Sequence, residues 1–259
     1  MYRIKPEGAA TIFVHIPKTA GTTMVSVIAR QNENKVYWIR GAEGAREEFA
    51  RLGEAERASY RMLSGHQGFG MHELVPGPSV YITMVREPVD RLVSHYHHIL
   101  GEREHYLHDL VAGKGMTLLD YVTAGLSIES DNGQTRMLCD REMSRSTPIG
   151  ACTEAMLMSA IRNLEERFNV VGVTDRFNET LVLAARCLGW EKPLHYSNAR
   201  VSETRPRVIP SEVAEAAGRR NVLDAILYRY VSERFDRHVR TLGEGFRADV
   251  ERVAAGRRA

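Results

Sequence analysis

Thr11-Ile-Phe-Val-His-Ile-Pro-Lys-Thr-Ala-Gly-Thr-Thr23 opens as an apolar run, breaks at a proline and resumes with small and hydroxylated residues. The run from Thr11 to Ile16 has the unbroken, β-rich apolar character of a strand buried on both faces, as in a parallel sheet. Residues 17–21 read as a turn, and 22–30 as a helix with Met24, Val25 and Ile28 on one face. A strand that feeds a short turn and a helix N-terminus offers unsatisfied N–H groups and the positive end of a helix dipole, which together make an anion site. Lys18 adds a charge there, Thr22 and Thr23 add hydroxyl donors, and Gly21 lets the backbone approach a phosphate. In a nucleoside-triphosphate loop the lysine directly follows the second glycine. Here Lys18 precedes Gly21, so the loop is shorter and the spacing counts against ATP. The plain alternative is an ordinary strand–helix turn with a surface lysine.

Working outward, the same alternation recurs. Arg61 to Ser64 is a weak second strand that runs into Gly65-His-Gln-Gly-Phe-Gly70, and Val80-Tyr-Ile-Thr-Met-Val85 is a third and clearer one. Pro88 stands where a first-turn helix proline is favoured, and Val89, Leu92, Val93, Tyr96 and Ile99 then form a core-facing stripe. A solvated helix is expected over 43–58, and further helices at roughly 103–112, 117–124, 131–139 and 153–167. Residues 169–173 read as a fourth strand followed by a helix over 179–188. A polar loop covers 197–210, and two long helical patterns close the chain. Strands alternating with helices predict an α/β fold, with a central parallel sheet flanked by helices and a helical C-terminal elaboration. With 259 residues and no low-complexity linker, a single domain over 1–259 is expected.

Arg86 follows the clearest strand, at the sheet edge where open α/β folds bind ligands. Ser94 lies on the next helix, with its side chain tilted back toward the helix start. An arginine fork with a hydroxyl suits a second, monoester phosphate. The alternative is that Arg86 pairs with Glu87 or Asp90 and Ser94 faces solvent.

Lys plus Arg total 35 against 33 Asp plus Glu, a net charge of +2, which argues against a nucleic-acid partner. Three cysteines without ligand-like spacing imply neither a disulfide framework nor a metal site. With no apolar leader and no membrane-spanning run, the expectation is a cytoplasmic protein. His95, His97, His98, His105 and His108 cluster, but no cysteine or carboxylate pattern completes a metal site, so no metal is expected.

Taken together, these segments are similar to the 3′-phosphoadenosine 5′-phosphosulfate (PAPS)-dependent sulfotransferases, the carbohydrate-directed branch in particular. Residues 11–23 resemble that family's 5′-phosphosulfate loop. Val85-Arg-Glu-Pro-Val-Asp-Arg-Leu-Val-Ser-His-Tyr96 resembles its 3′-phosphate motif, and Gly65 to Gly70 the segment that carries its catalytic base. Asp131-Asn-Gly-Gln-Thr-Arg-Met-Leu138 and Val171-Gly-Val-Thr-Asp-Arg-Phe177 also look like family stretches. The resemblance implies a P-loop-like fold, PAPS as donor, and a glycan or small-molecule acceptor sulfated on a hydroxyl or amine. It also implies that Pro17, Lys18, Thr19, Ala20, Gly21, Thr22 and Thr23 hold the 5′-phosphosulfate. Arg86 and Ser94 would hold the 3′-phosphate, and Asn198 and Arg200 would lie on a loop closing over the nucleotide. Lys18 would neutralise the leaving oxygen, and the His66 imidazole would take the acceptor proton. A P-loop nucleotide kinase and a non-catalytic nucleotide-binding module are the two rival functions.

Overall fold

The computed structural model describes residues 2–32, 35–39, 44–197 and 208–256. Five strands form one fully parallel sheet: β1 (Ala10–Val14), β2 (Val36–Ile39), β3 (Met62–Gly65), β4 (Ser79–Val85) and β5 (Phe168–Val173), in the order β2-β3-β1-β4-β5. Every residue of β1 and of β5 is buried, as the unbroken apolar runs require of strands covered on both faces. The helices are α1 (Gly21–Gln31), α2 (Ala45–Arg51), α3 (Glu54–Ser59), α4 (Pro88–Gly101), α5 (His108–Val111), α6 (Leu118–Ala124), α7 (Gly133–Leu138), α8 (Arg141–Ser146), α9 (Glu154–Arg167), α10 (Phe177–Leu188), α11 (Ser211–Arg220), α12 (Val222–Thr241) and α13 (Glu244–Ala255). Cys139, Cys152 and Cys187 are free thiols. Among the described residues no helix is long and apolar enough to cross a membrane.

Four expectations are corrected. β2 lies ahead of the strand read as second; it is a four-residue edge strand with only its end residues fully buried, too short to show a periodicity. The helix over 43–58 is two helices, parted at Leu52 and Gly53, and α2 buries Ala45 and Phe49 rather than being solvated all round. Only His108–Val111 of the 103–112 pattern is helical. The C-terminal patterns resolve into three helices, because Asn221 breaks the first stretch and Gly243 begins a new one.

Local chemistry sets the helix starts nearest the sheet edge. In α4, Pro88 takes the first turn while the Glu87 carboxylate accepts from the Asp90 N–H at 2.6 Å. α6 opens with a Thr117–Asp120 capping box and ends on Gly125 in the left-handed conformation.

Candidate active site

β3 and β4 flank β1, and the chain leaves β1 toward β2 but β4 toward β5, so a crevice opens at the C-terminal ends of these neighbouring strands. His66 follows β3, His15 and the 17–21 turn follow β1, and Arg86 follows β4. With Lys18, Thr22, Thr23 and Ser94 they line one cleft of about 1690 Å³.

The 17–21 turn is strained. Lys18 and Ala20 both sit in the left-handed region, at φ 67° and 61°, which costs a non-glycine residue about 1–2 kcal/mol each. Thr19 between them is fully buried and donates its hydroxyl to the Ile16 carbonyl at 2.9 Å, bracing the turn. That hydroxyl is therefore engaged inside the turn, and only Thr19's backbone can serve an anion. Helix α1 starts with no side-chain cap and no acidic residue in its first turn, leaving its dipole and first amides to the cleft. Gly21 also has a packing role. Its φ is ordinary, but a Cβ there would overlap the His15 ring.

That ring stacks on Phe13 at 5.5 Å and lies 4.3 Å, centroid to centroid, from the His66 ring. Burial, then the neighbouring His66 and Lys18, push the His15 pKa down to about 3, so His15 stays neutral. The exposed His66 ring sets its Nδ1 2.7 Å from the His15 carbonyl oxygen. A carbonyl can only accept, so Nδ1 carries the proton, and in the neutral ring Nε2 keeps a lone pair. The loop that carries His66 is tight on both sides. Gly65 passes the β2 backbone where a Cβ would come 2.5 Å from the Ile39 carbonyl, and Phe69 N–H donates to the Met137 carbonyl at 2.8 Å.

Arg86 does pair with Asp90, its Nε and Nη2 lying 2.6 and 2.5 Å from Asp90 Oδ2. It also donates from Nη1 to the Lys18 carbonyl at 3.0 Å, tying the two motifs to each other. Burial lowers its pKa from the usual arginine value, with Asp175 and Glu87 acting against that. Gln134 clamps the Arg86 backbone, accepting from its N–H and donating to its carbonyl, both at 2.9 Å. The fork thus reaches the crevice already aimed.

Behind it lies a network that reading the sequence missed. Arg91 is fully buried, donates from Nη2 to the Glu129 carbonyl at 2.6 Å, and lies 3.7 Å from the buried Asp224 carboxylate on α12. Asp224 also accepts from Gln134 N–H, Thr135 N–H and the Thr135 hydroxyl at 3.1, 2.7 and 2.8 Å, so it caps α7 from a distant helix. In return Asn132 accepts from the N–H groups of Leu223 and Asp224 at the start of α12. An asparagine and an aspartate opening a helical pattern were the one visible signal.

His95, His97, His98 and His105 line the same cleft. His95 is buried, bonds the Tyr121 hydroxyl through Nδ1 at 2.7 Å, and is held well below the usual imidazole range by burial and by Arg91. No group of three or more candidate metal ligands occurs among the described residues. Asn198 and Arg200 lie outside the described residues.

The family model for galactose-3-O-sulfotransferases matches residues 4–259. Galactose-3-O-sulfotransferase 3 of Homo sapiens is 29% identical over 282 residues, covering 96% of this chain and 61% of that protein. Galactosylceramide sulfotransferase of Homo sapiens is 28% identical, over 90% of this chain and 58% of that protein. Heparin sulfate O-sulfotransferase of Drosophila melanogaster is 26% identical, over 82% of this chain and 64% of that protein. The chain thus spans about three fifths of the length of the curated relatives it matches.

Proposed function

Because the chain belongs to the galactose-3-O-sulfotransferase family, we propose that it transfers a sulfuryl group from PAPS to a hydroxyl of a galactose-containing glycan. The observation that carries this reading is the convergence of His66, Lys18 and Arg86 on one cleft from three adjacent strands, with His66 Nε2 left as the basic nitrogen. Nothing in that arrangement calls for a metal: Lys18 and the α1 amides supply the positive charge themselves.

The donor is a bis-phosphorylated adenosine carrying a sulfuryl group on its 5′-phosphate. The first turn of α1 and Lys18 bind its 5′ end, while Arg86 and Ser94 bind the 3′-phosphate. As the acceptor oxygen bonds to sulfur, His66 Nε2 takes the hydroxyl proton and becomes imidazolium. The bond between sulfur and the bridging oxygen breaks, its electron pair staying on the 5′-phosphate. Lys18 and the α1 dipole neutralise that charge, as preorganised groups do in loose in-line transfer. The products are a sulfate ester and 3′-phosphoadenosine 5′-phosphate, and His66 returns its proton to solvent.

Thermal shift and radiolabel transfer test this. 3′-Phosphoadenosine 5′-phosphate should raise the melting temperature more than equimolar ADP with magnesium; the reverse order would favour the kinase. His66→Ala should lower transfer by about 10²–10⁴-fold and Lys18→Ala by at least about 10²-fold, both without loss of fold. Nucleotide binding with no sulfuryl transfer by the native chain would favour a binding module.

A further inference from the structure

One lip of the cleft has a chemistry that the transfer step does not use. Tyr106 and Ile128 are 66% and 52% exposed, and both line the cleft. Large apolar groups left open at the mouth of a polar cleft mark a place where something docks. Tyr106 is not loose: its hydroxyl donates to Glu129 Oε2 at 2.8 Å, and its ring stacks on His105 at 4.8 Å. Glu129 is fixed in turn. Its carbonyl accepts from the buried Arg91, and the turn it sits on is closed by Ser130 Oγ donating to the Ser127 carbonyl at 2.7 Å. His105 accepts from the Leu107 N–H through Nδ1, which leaves Nε2–H as a donor. The lip lines the same cleft as Lys18 and His66, and His105 packs against His95 at 5.5 Å.

We infer that Tyr106, Glu129 and His105 form the acceptor subsite, and that it selects an uncharged galactosyl ring over an anionic sugar. The inference rests on the sulfotransferase reading above and assigns the acceptor side of the same cleft. A galactose ring, with its 4-hydroxyl axial, gathers the C–H groups of carbons 3, 4 and 5 into one apolar patch. That patch suits the electron-rich face of an exposed, pinned tyrosine. Glu129 can accept from ring hydroxyls and His105 Nε2–H can donate to them, as orientation groups around an apolar contact should. The same carboxylate repels a uronate or sulfate on the incoming sugar, which is selection by a built-in unfavourable pair. Arg46, Arg136, Arg141 and Arg176, which also line the cleft, are already paired with carboxylates.

The test compares benzyl β-galactoside with benzyl β-galacturonoside, which carry a neutral hydroxymethyl and an anionic carboxylate at carbon 6, using PAPS as donor. The native chain should favour the neutral glycoside in kcat/KM. Glu129→Gln should narrow that preference by about fivefold, the scale of one partly screened charge pair. Tyr106→Ala should raise the acceptor KM by about tenfold. In both variants the thermal shift with 3′-phosphoadenosine 5′-phosphate should stay native. Equal use of the two glycosides, a preference for the charged one, an unchanged ratio in Glu129→Gln, or nucleotide binding with transfer to neither would each overturn the inference while leaving the donor site standing. Absence of any nucleotide shift would instead sink the sulfotransferase reading, and this inference with it.

Discussion

Gly21 sits at the first position of α1, where helix propensity alone would favour alanine by about 1 kcal/mol. Packing points the other way. The His15 ring occupies the space a Cβ needs, and it cannot swing aside freely because Phe13 and His66 lie against it. Gly21→Ala should therefore destabilise the chain by about 1–3 kcal/mol, the usual cost of overpacking. It should also lower turnover, since His15 and His66 share that wall. Urea unfolding decides the sign: a stabilised variant would show that the ring moves at no cost. Lys18 and Ala20 make the complementary point, because their left-handed backbone is kept where glycine would be easier.

Among elements, α7 and α12 cap each other across the molecule. Asp224 serves the α7 N-terminus and neutralises Arg91, while Asn132 serves α12. Gln134 on α7 then holds the Arg86 backbone, so the aim of the 3′-phosphate arginine depends on a C-terminal helix. Asp224→Asn keeps the shape but leaves the fully buried Arg91 without its counter-charge, and should destabilise by about 3–5 kcal/mol. Adding Arg91→Met should restore much of that loss, since an apolar pair removes the stranded charge. A double-mutant cycle by urea denaturation reads it directly. Additive losses would show that Arg91 and Asp224 are not coupled.

For the whole molecule, two neutral imidazoles set an acid limit. His15 is pushed down to about 3 and His95 well below the usual range, each mainly by burial. In the unfolded chain both would take up protons near pH 6.5. Below that value the unfolded state binds more protons than the folded one. The stability they contribute is therefore complete above about pH 6.5 and drains away as pH falls below it, for His15 down to about 3, by up to about 1.4 kcal/mol per pH unit for each group. Urea midpoints measured from pH 7.5 to 4.5 should fall accordingly, and His95→Gln should make the slope shallower. A flat profile would mean that the folded chain accepts those protons.

The alternation of β-rich runs and amphipathic stretches was enough to determine a parallel α/β sheet, because burial on both faces writes itself into consecutive residues. The same local chemistry marked Lys18, Arg86 and Ser94, each beside a strand end or on the helix that follows one, and the family resemblance added His66. The short edge strand β2 left no such mark, nor could the sequence tell why Gly21 must lack a side chain. Asn221 and Asp224 stand at the start of α12, yet their side chains serve Asn132, the start of α7 and Arg91. The Tyr106–Glu129 lip likewise joins residues with no common periodicity. Strand and helix patterns come from forces between near neighbours, whereas these pairings form only once packing has brought distant segments together, and that was left to the tertiary structure.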